Sequence, residues 1–281
     1  MPDHNMGGAA TALHLRYRDA ATAAAAPATA AWSPVIDSLL QHRSVRAYTN
    51  QALPPGTLQA MVAAAQSAAT SSNLQLWSVV AVEDQARRDR LAALAGGQRH
   101  IAQAPLFLCW VADLSRAARI GQRHGVAMET LPYTESFLVA AIDAALAAQN
   151  AVAAAESLGL GTVYIGAMRN HPDQVARELG LPPGAVVVFG LCVGHVDAAS
   201  APAVKPRLPQ AAILHREQYD ATTADAAIPA YDGTLQGFQA EQGMKAQGWQ
   251  ELVLGRLGKI ASMSGRERLR AALAGLGLEL R

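Results

Sequence analysis

The chain has 281 residues, of which 51% are hydrophobic and 16% charged, and a formal net charge of +1. That length and apolar content exclude a disordered chain and allow a full buried core. The near-neutral balance excludes a bulk basic field that would draw the chain to nucleic acid or to an anionic membrane.

Residues 1–31 read as an Ala-rich arm of low complexity, weakly helical and without visible chemistry. The start Met1-Pro2-Asp3-His4-Asn5 is no positive n-region, and the Ala20–Ala31 stretch lacks the Leu-type run of a signal peptide. Ser33-Pro34 then starts a helix that runs to about Gln41, with the hydroxyl at the N-cap and proline at the first helical position. A second helix is predicted from Thr57 to about Ala68, with Leu58, Met61, Val62 and Ala65 on one face. Thr70 to Gln75 is a polar loop. Trp77 to Val82 reads as a strand, Asp84 to Ala95 as a helix and Pro105 to Ala112 as a buried strand.

Ser115 to about Glu129 carries Arg116, Arg119 and Arg123 on or near one helical face, which reads as a solvated face. Thr134 to Leu158 is a long apolar helix interrupted by Asp143, Gln149, Asn150 and Glu156, a buried core helix and not a membrane span. Gly161 to Ala167 is a strand, His171 to Leu179 a helix ending near Gly180, and Ala185 to Gly194 a buried strand. From about Gly233 the chain is helical and ends in a charged segment around Arg266–Arg270. About four core strands mixed with more helix, and few hairpin signals, give an α+β or α/β sandwich. No repeat or linker divides residues 32–281, which read as one domain.

Cys109 and Cys192 each sit inside an apolar run and read as buried small hydrophobes. No CxxC or Cys/His ligand spacing points to zinc or to a disulfide framework, which fits a reducing cytoplasm.

Two short basic clusters carry the strongest chemical signal: His42-Arg43-Ser44-Val45-Arg46 and Lys205-Pro206-Arg207-Leu208-Pro209. Fixed cations topped up by a hydroxyl are what a dianionic phosphate needs. A Rossmann site is rejected, because Gly159, Gly161 and Gly166 follow a helix and lead into a strand, and GxGxxG is absent. Walker A is absent too. A phosphate bound here is therefore held by side chains.

With Thr70–Gln75 and the GLGTVYIGAMRN run from Gly159 to Asn170, these clusters resemble, in order and separation, the flavin-dependent nitroreductase family. Within it they are most similar to the oxygen-insensitive NADPH nitroreductase and NADPH-flavin oxidoreductase branch. The resemblance covers roughly residues 33–281. It implies an α-β-α sandwich with a mixed, mostly antiparallel central sheet and a long central helix, assembled as a homodimer that binds FMN in a groove at the dimer interface. It implies that His42, Arg43 and Ser44, with Lys205 and Arg207, meet the phosphate, and that Arg46 reaches the ribityl chain and the pyrimidine edge of the ring. Thr70, Ser71, Ser72, Asn73 and Gln75 would approach flavin from the partner subunit. Gln98 would bond the ring edge, and Tyr164, Ile165, Gly166 and Ala167 would lie along one side of the ring. Glu135 would stand on the substrate side. No catalytic acid or base is implied: the chemistry is at the flavin.

The implied reaction is ping-pong hydride transfer from NADPH or NADH to flat acceptors such as nitroaromatics, quinones or free flavins. Nucleic acid, membrane and metal play no part in it. The NADPH-selective branch carries an arginine-rich loop before the final helices, where this chain reads Gln242-Gly243-Met244-Lys245-Ala246-Gln247-Gly248-Trp249; Arg256, Arg266 and Arg268 are possible substitutes. Two other readings stay open: a different FMN reaction on the same fold, such as dehalogenation or desaturation, and an FMN carrier or sensor without turnover.

Overall fold

The computed structural model describes residues 6–18 and 32–281. In chain order the elements are α1 (Met6–Tyr17), α2 (Pro34–Leu40), α3 (Thr57–Gln66), β1 (Trp77–Val82), α4 (Gln85–Leu94), α5 (Arg99–Gln103), β2 (Leu106–Asp113) and α6 (Ser115–His124). There follow α7 (Thr134–Ser157), β3 (Gly161–Ile165), α8 (Pro172–Leu179), β4 (Ala185–Gly194), α9 (Ala221–Glu241), α10 (Trp249–Leu257) and α11 (Leu269–Gly275). The described residues cluster into two compact units. One joins the segment up to Arg43 with residues 202–262; the other joins 44–201 with 263–281.

The second unit contains a four-stranded sheet in the order β1-β2-β4-β3, with every strand pair antiparallel. One parallel bridge, Ser44 to Thr162, extends the β3 edge, so the sheet is mixed and mostly antiparallel as expected. Alternation along β2 builds a core on each face. Leu106, Leu108 and Trp110 pack with Met61 and Ala65 of α3 and with α7, while Phe107, Cys109 and Val111 pack with Leu91, Ile101, Met168 and Val175. Burying a side chain such as Phe107 contributes roughly 1.5–3 kcal/mol. The alanines explain how α7 lies so close to the sheet: Ala140, Ala144, Ala147, Ala148, Ala151 and Ala155 are all fully buried. Gly190 is required for a similar reason, because a Cβ there would sit 2.3 Å from the Phe107 ring.

In the first unit Tyr231, Leu235 and Phe238 of α9 form a small core with Ala203, Leu208 and Trp249. Helix α1 belongs to this unit. Its Ala9, Ala12 and Leu13 are buried, and Arg18 pairs with both oxygens of Glu241 at 2.8 and 2.7 Å while lying 5.0 Å over the Phe238 ring.

Three expected boundaries move. The helix after Ser115 stops at His124, where Gly125 takes a left-handed φ of 64° and closes the C-terminus. The strand from Gly161 ends at Ile165 and turns into a 3-10 segment, Gly166–Arg169. The C-terminal helical region begins at Ala221, well before Gly233. Asp220 caps it by accepting from the Thr222 and Thr223 N–H groups and from the Thr223 hydroxyl, and the helix carries Pro229 inside it.

Candidate functional site

The two basic clusters are joined by a residue that composition hid. Arg16, on the last turn of α1, is only 5% exposed. Its Nε and Nη2 donate to the Leu40 carbonyl at 3.0 and 2.5 Å, capping the C-terminus of α2. Nη2 also donates to the His42 carbonyl at 2.8 Å, and Nη1 to the Lys205 carbonyl at 2.9 Å. The Arg16 carbonyl accepts from the Arg207 N–H at 3.0 Å. Pro206 between them is buried, and its carbonyl accepts from the Tyr231 hydroxyl at 2.9 Å. One guanidinium thus engages the His42 and Lys205 carbonyls, while the side chains of Arg43, Lys205 and Arg207 are exposed and that of His42 is half-buried. Arg43 has no ion pair with any described residue. Within the stretch 1–31, read from the sequence as an arm without visible chemistry, Arg16 has a structural role. Arg207 also lines a cavity of about 500 Å³ walled by Tyr17, Leu208, Ile213, Tyr231 and Trp249.

In the second unit Ser44 bridges to Thr162, and the Val45 N–H donates to the Thr162 carbonyl at 2.8 Å. Val45 is buried, so the alternation of an extended chain leaves Arg46 exposed. The Tyr48 hydroxyl, raised in pKa chiefly by burial, donates to the Val45 carbonyl at 2.7 Å and fixes this stretch. Burial, and then the positive charge of Arg46, hold His100 below the usual histidine range; its Nε2 is buried without a partner among the described residues. Gln98 precedes α5, half-buried, after Gly96 and Gly97, both with positive φ.

Tyr164, 36% exposed, stands edge-on to Phe189 with ring centroids 5.2 Å apart. Its hydroxyl lies 3.4 Å from Gln149 Oε1. Ile165 is buried in the core, so its side chain belongs to packing. Gly166 has a packing reason of its own: a Cβ there would stand 3.3 Å from Arg169 Nη2, and that guanidinium is bonded to the Val188 carbonyl. Ala167 is half-buried, and Glu135 is exposed in the first turn of α7.

The 70–75 loop is set from two sides. Asp143, 2% exposed, accepts from the Thr70 hydroxyl at 2.6 Å and from the N–H groups of Ser71 and Leu76 at 3.2 and 3.1 Å. Arg116 donates to the Gln75 carbonyl at 2.9 Å and to Ser78 Oγ at 3.0 Å, so this arginine is structural and not part of a merely solvated face. Between these anchors Ser72, Asn73 and Gln75 take φ of 49°, 55° and 51°. Left-handed conformations of this kind are rare outside glycine and cluster at functional loops. Asp113, which burial pushes up, is held below the usual carboxylate range by bonds from Ser115 and Ser78 and by the Arg116 charge. Among the described residues no group of three His, Cys, Asp or Glu could hold a metal.

Residues 39–195 match the model of the nitroreductase family, and residues 205–281 that of the nitroreductase family C-terminal domain. The chain belongs to the nitroreductase family. Among its relatives is the FMN reductase (NADPH) of Bacillus subtilis, 38% identical over 78% of this chain and 89% of that protein. Another is the oxygen-insensitive NADPH nitroreductase of Salmonella typhimurium, 38% identical over 75% of this chain and 85% of the relative. The solved NADPH:FMN oxidoreductase of Vibrio harveyi, complexed with NAD+, superposes with a TM-score of 0.79 at 36% identity, covering 89% of this chain and all of that one. The fold expected from the sequence is thus the fold of the family.

Proposed function

We propose that this nitroreductase-family protein is an FMN-dependent NAD(P)H oxidoreductase that reduces nitroaromatics, quinones or free flavins. The observation that carries the reading is the convergence of the His42 and Lys205 carbonyls on the buried Arg16 guanidinium, in a chain of this family. Exposed Arg43, Lys205 and Arg207 fit a terminal phosphate, to which guanidinium groups donate charge-assisted, often bidentate bonds. FMN ends in such a phosphate; FAD does not.

His42, Arg43, Lys205 and Arg207 hold the phosphate, and Ser44, next in the chain, adds its hydroxyl. Arg46 presents its charge to the ribityl chain and the pyrimidine edge, and Gln98 bonds the ring edge. Tyr164, Gly166 and Ala167, with the Ile165 backbone, line one side of the ring. Thr70, Ser71, Ser72, Asn73 and Gln75 present polar groups to the flavin of a partner subunit, and Glu135 borders the acceptor. When bound, FMN supplies a ring that takes a hydride from NADPH or NADH and passes two electrons to a flat acceptor in a second step.

The protein acts as a homodimer. Leu138, Ile142 and Leu146 recur every fourth residue along α7, and each is exposed by 43–50%. An apolar stripe on a helix whose other face is in the core is what an obligate interface covers. Its site of action is the cytoplasm, where the buried free thiols Cys109 and Cys192 stay reduced. Chromatography of the flavin released from purified protein tests the assignment: FMN is expected, and FAD, haem or a colourless protein from flavin-replete cells would overturn it.

A further inference from the structure

We propose that Arg16 is a positioning residue for the FMN phosphate, and that helix α1 is part of the cofactor-binding apparatus. The inference rests on the reading of His42, Arg43, Lys205 and Arg207 as the phosphate seat. Neither stretch that matches the family, 39–195 or 205–281, includes α1. Arg16 therefore lies outside the stretches that match the family models.

First, the seat is made from two stretches of backbone that share no strand or helix. Gln41 and His42 leave the C-terminus of α2, and Lys205 to Pro209 is an extended, irregular stretch. Something must hold them in register, and Arg16 does so with hydrogen bonds to Leu40, His42 and Lys205 and a return bond from the Arg207 N–H. Second, carbonyl oxygens repel a phosphate. The carbonyls of His42 and Lys205 are both engaged by the Arg16 guanidinium, which neutralises their repulsion toward an anion seated beside them. Third, a buried guanidinium next to the seat adds a positive charge that water screens little. Arginine suits this task because its planar fork reaches several acceptors at once, whereas a lysine ammonium is a point donor.

Helix α1 itself is held in place by the Arg18–Glu241 pair and by the packing of Arg18 on Phe238. Tyr17 walls the same cavity as Arg207, so successive residues of α1 meet the seat and its surroundings. The clamp acts on the phosphate end, so its loss is expected to weaken FMN more than riboflavin, which has the same ring and ribityl chain without the phosphate.

The test compares the holoprotein with Arg16→Met, Arg16→Lys and Arg207→Ala. FMN release after dilution is followed by flavin fluorescence, and riboflavin affinity is measured by titration of the stripped protein. Arg16→Met is expected to weaken FMN about tenfold or more, the scale of a lost charge-assisted bond, and riboflavin less than about twofold. Arg16→Lys is expected to fall between wild type and Arg16→Met, and it carries the test if the methionine variant does not fold. Equal losses for FMN and riboflavin, or no loss for either, would overturn the clamp. If Arg207→Ala still weakens FMN selectively in that case, the phosphate seat stands and only the role of Arg16 fails. If Arg207→Ala shows no selectivity for FMN, the seat itself has been misassigned.

Discussion

Thr70 and Asp143 lie 73 residues apart in the chain, and the Thr70 hydroxyl donates to Asp143 Oδ2 at 2.6 Å. The same carboxylate takes the N–H groups of Ser71 and Leu76, so one buried side chain on the central helix fixes both ends of the loop that carries Ser72 and Asn73. The loop's left-handed residues are tolerated because its ends are held.

Replacing Asp143 by Ala removes the acceptor of the buried Leu76 N–H and of the partly buried Thr70 hydroxyl and Ser71 N–H bonds. The expected loss is about 2–4 kcal/mol of stability, with a smaller loss for Asp143→Asn, which keeps one acceptor oxygen. Urea unfolding followed by circular dichroism measures it. An Asp143→Ala variant as stable as wild type would mean that the loop finds other partners.

The α7 stripe predicts the assembly. Ile142→Glu places a charge in the middle of Leu138, Ile142 and Leu146, where burial without a partner costs several kcal/mol. Light scattering is expected to show a dimer for wild type and a monomer for the variant at micromolar protein, with weaker flavin retention in the monomer. A wild-type monomer loaded with flavin would contradict the shared groove.

Arg46 is expected to matter more for reduction than for retention of FMN. In the proposed site the phosphate would have His42, Arg43, Ser44, Lys205 and Arg207, whereas the negative charge gathering at the pyrimidine edge on reduction would have fewer partners. Arg46→Ala should lower the midpoint potential, and a loss of about 1.4 kcal/mol corresponds to about 30 mV for a two-electron couple. Redox titration of the reconstituted variant reads this directly. An unchanged potential would make Arg46 a phosphate or purely structural residue.

His100 makes a pH-dependent contribution whose sign follows from its lowered pKa. Burial and the Arg46 charge disfavour its protonated form in the folded state, so the unfolded chain binds the proton more readily. The stabilisation is complete above the ordinary histidine value of 6.5 and is lost as pH falls from there through the folded-state pKa. His100→Gln should flatten the stability profile below about pH 6.5 and leave it unchanged in slope above. Urea midpoints between pH 5 and 8 check the sign; identical slopes for the two proteins would remove His100 as the source.

Much of this was legible in the sequence because its signals are local. The strands Trp77–Val82 and Ala185–Gly194 were readable from apolar runs bounded by turns, and the α2 start from Ser33-Pro34. The basic clusters stood out as charge in an otherwise alanine-rich chain. Arg16 did not, because a single arginine in a weak helix is ordinary, and only the fold reveals which carbonyls surround it. Asp143 was visible only as an interruption of an apolar helix, and its partners come from another part of the chain. The start of α9 was obscured by Pro229 and Gly233, which argue against a helix locally, while the Asp220 cap and the packing of Tyr231 and Phe238 support one.

Anaerobic stopped-flow mixing of the holoprotein, first with NADPH or NADH and then with a quinone, decides whether the bound flavin turns over. The flavin absorbance is expected to bleach with the nicotinamide and return with the quinone, in two separable steps without a ternary complex. A bound flavin that neither nicotinamide reduces at a useful rate would contradict it, and would leave the protein an FMN carrier or an enzyme of another flavin reaction.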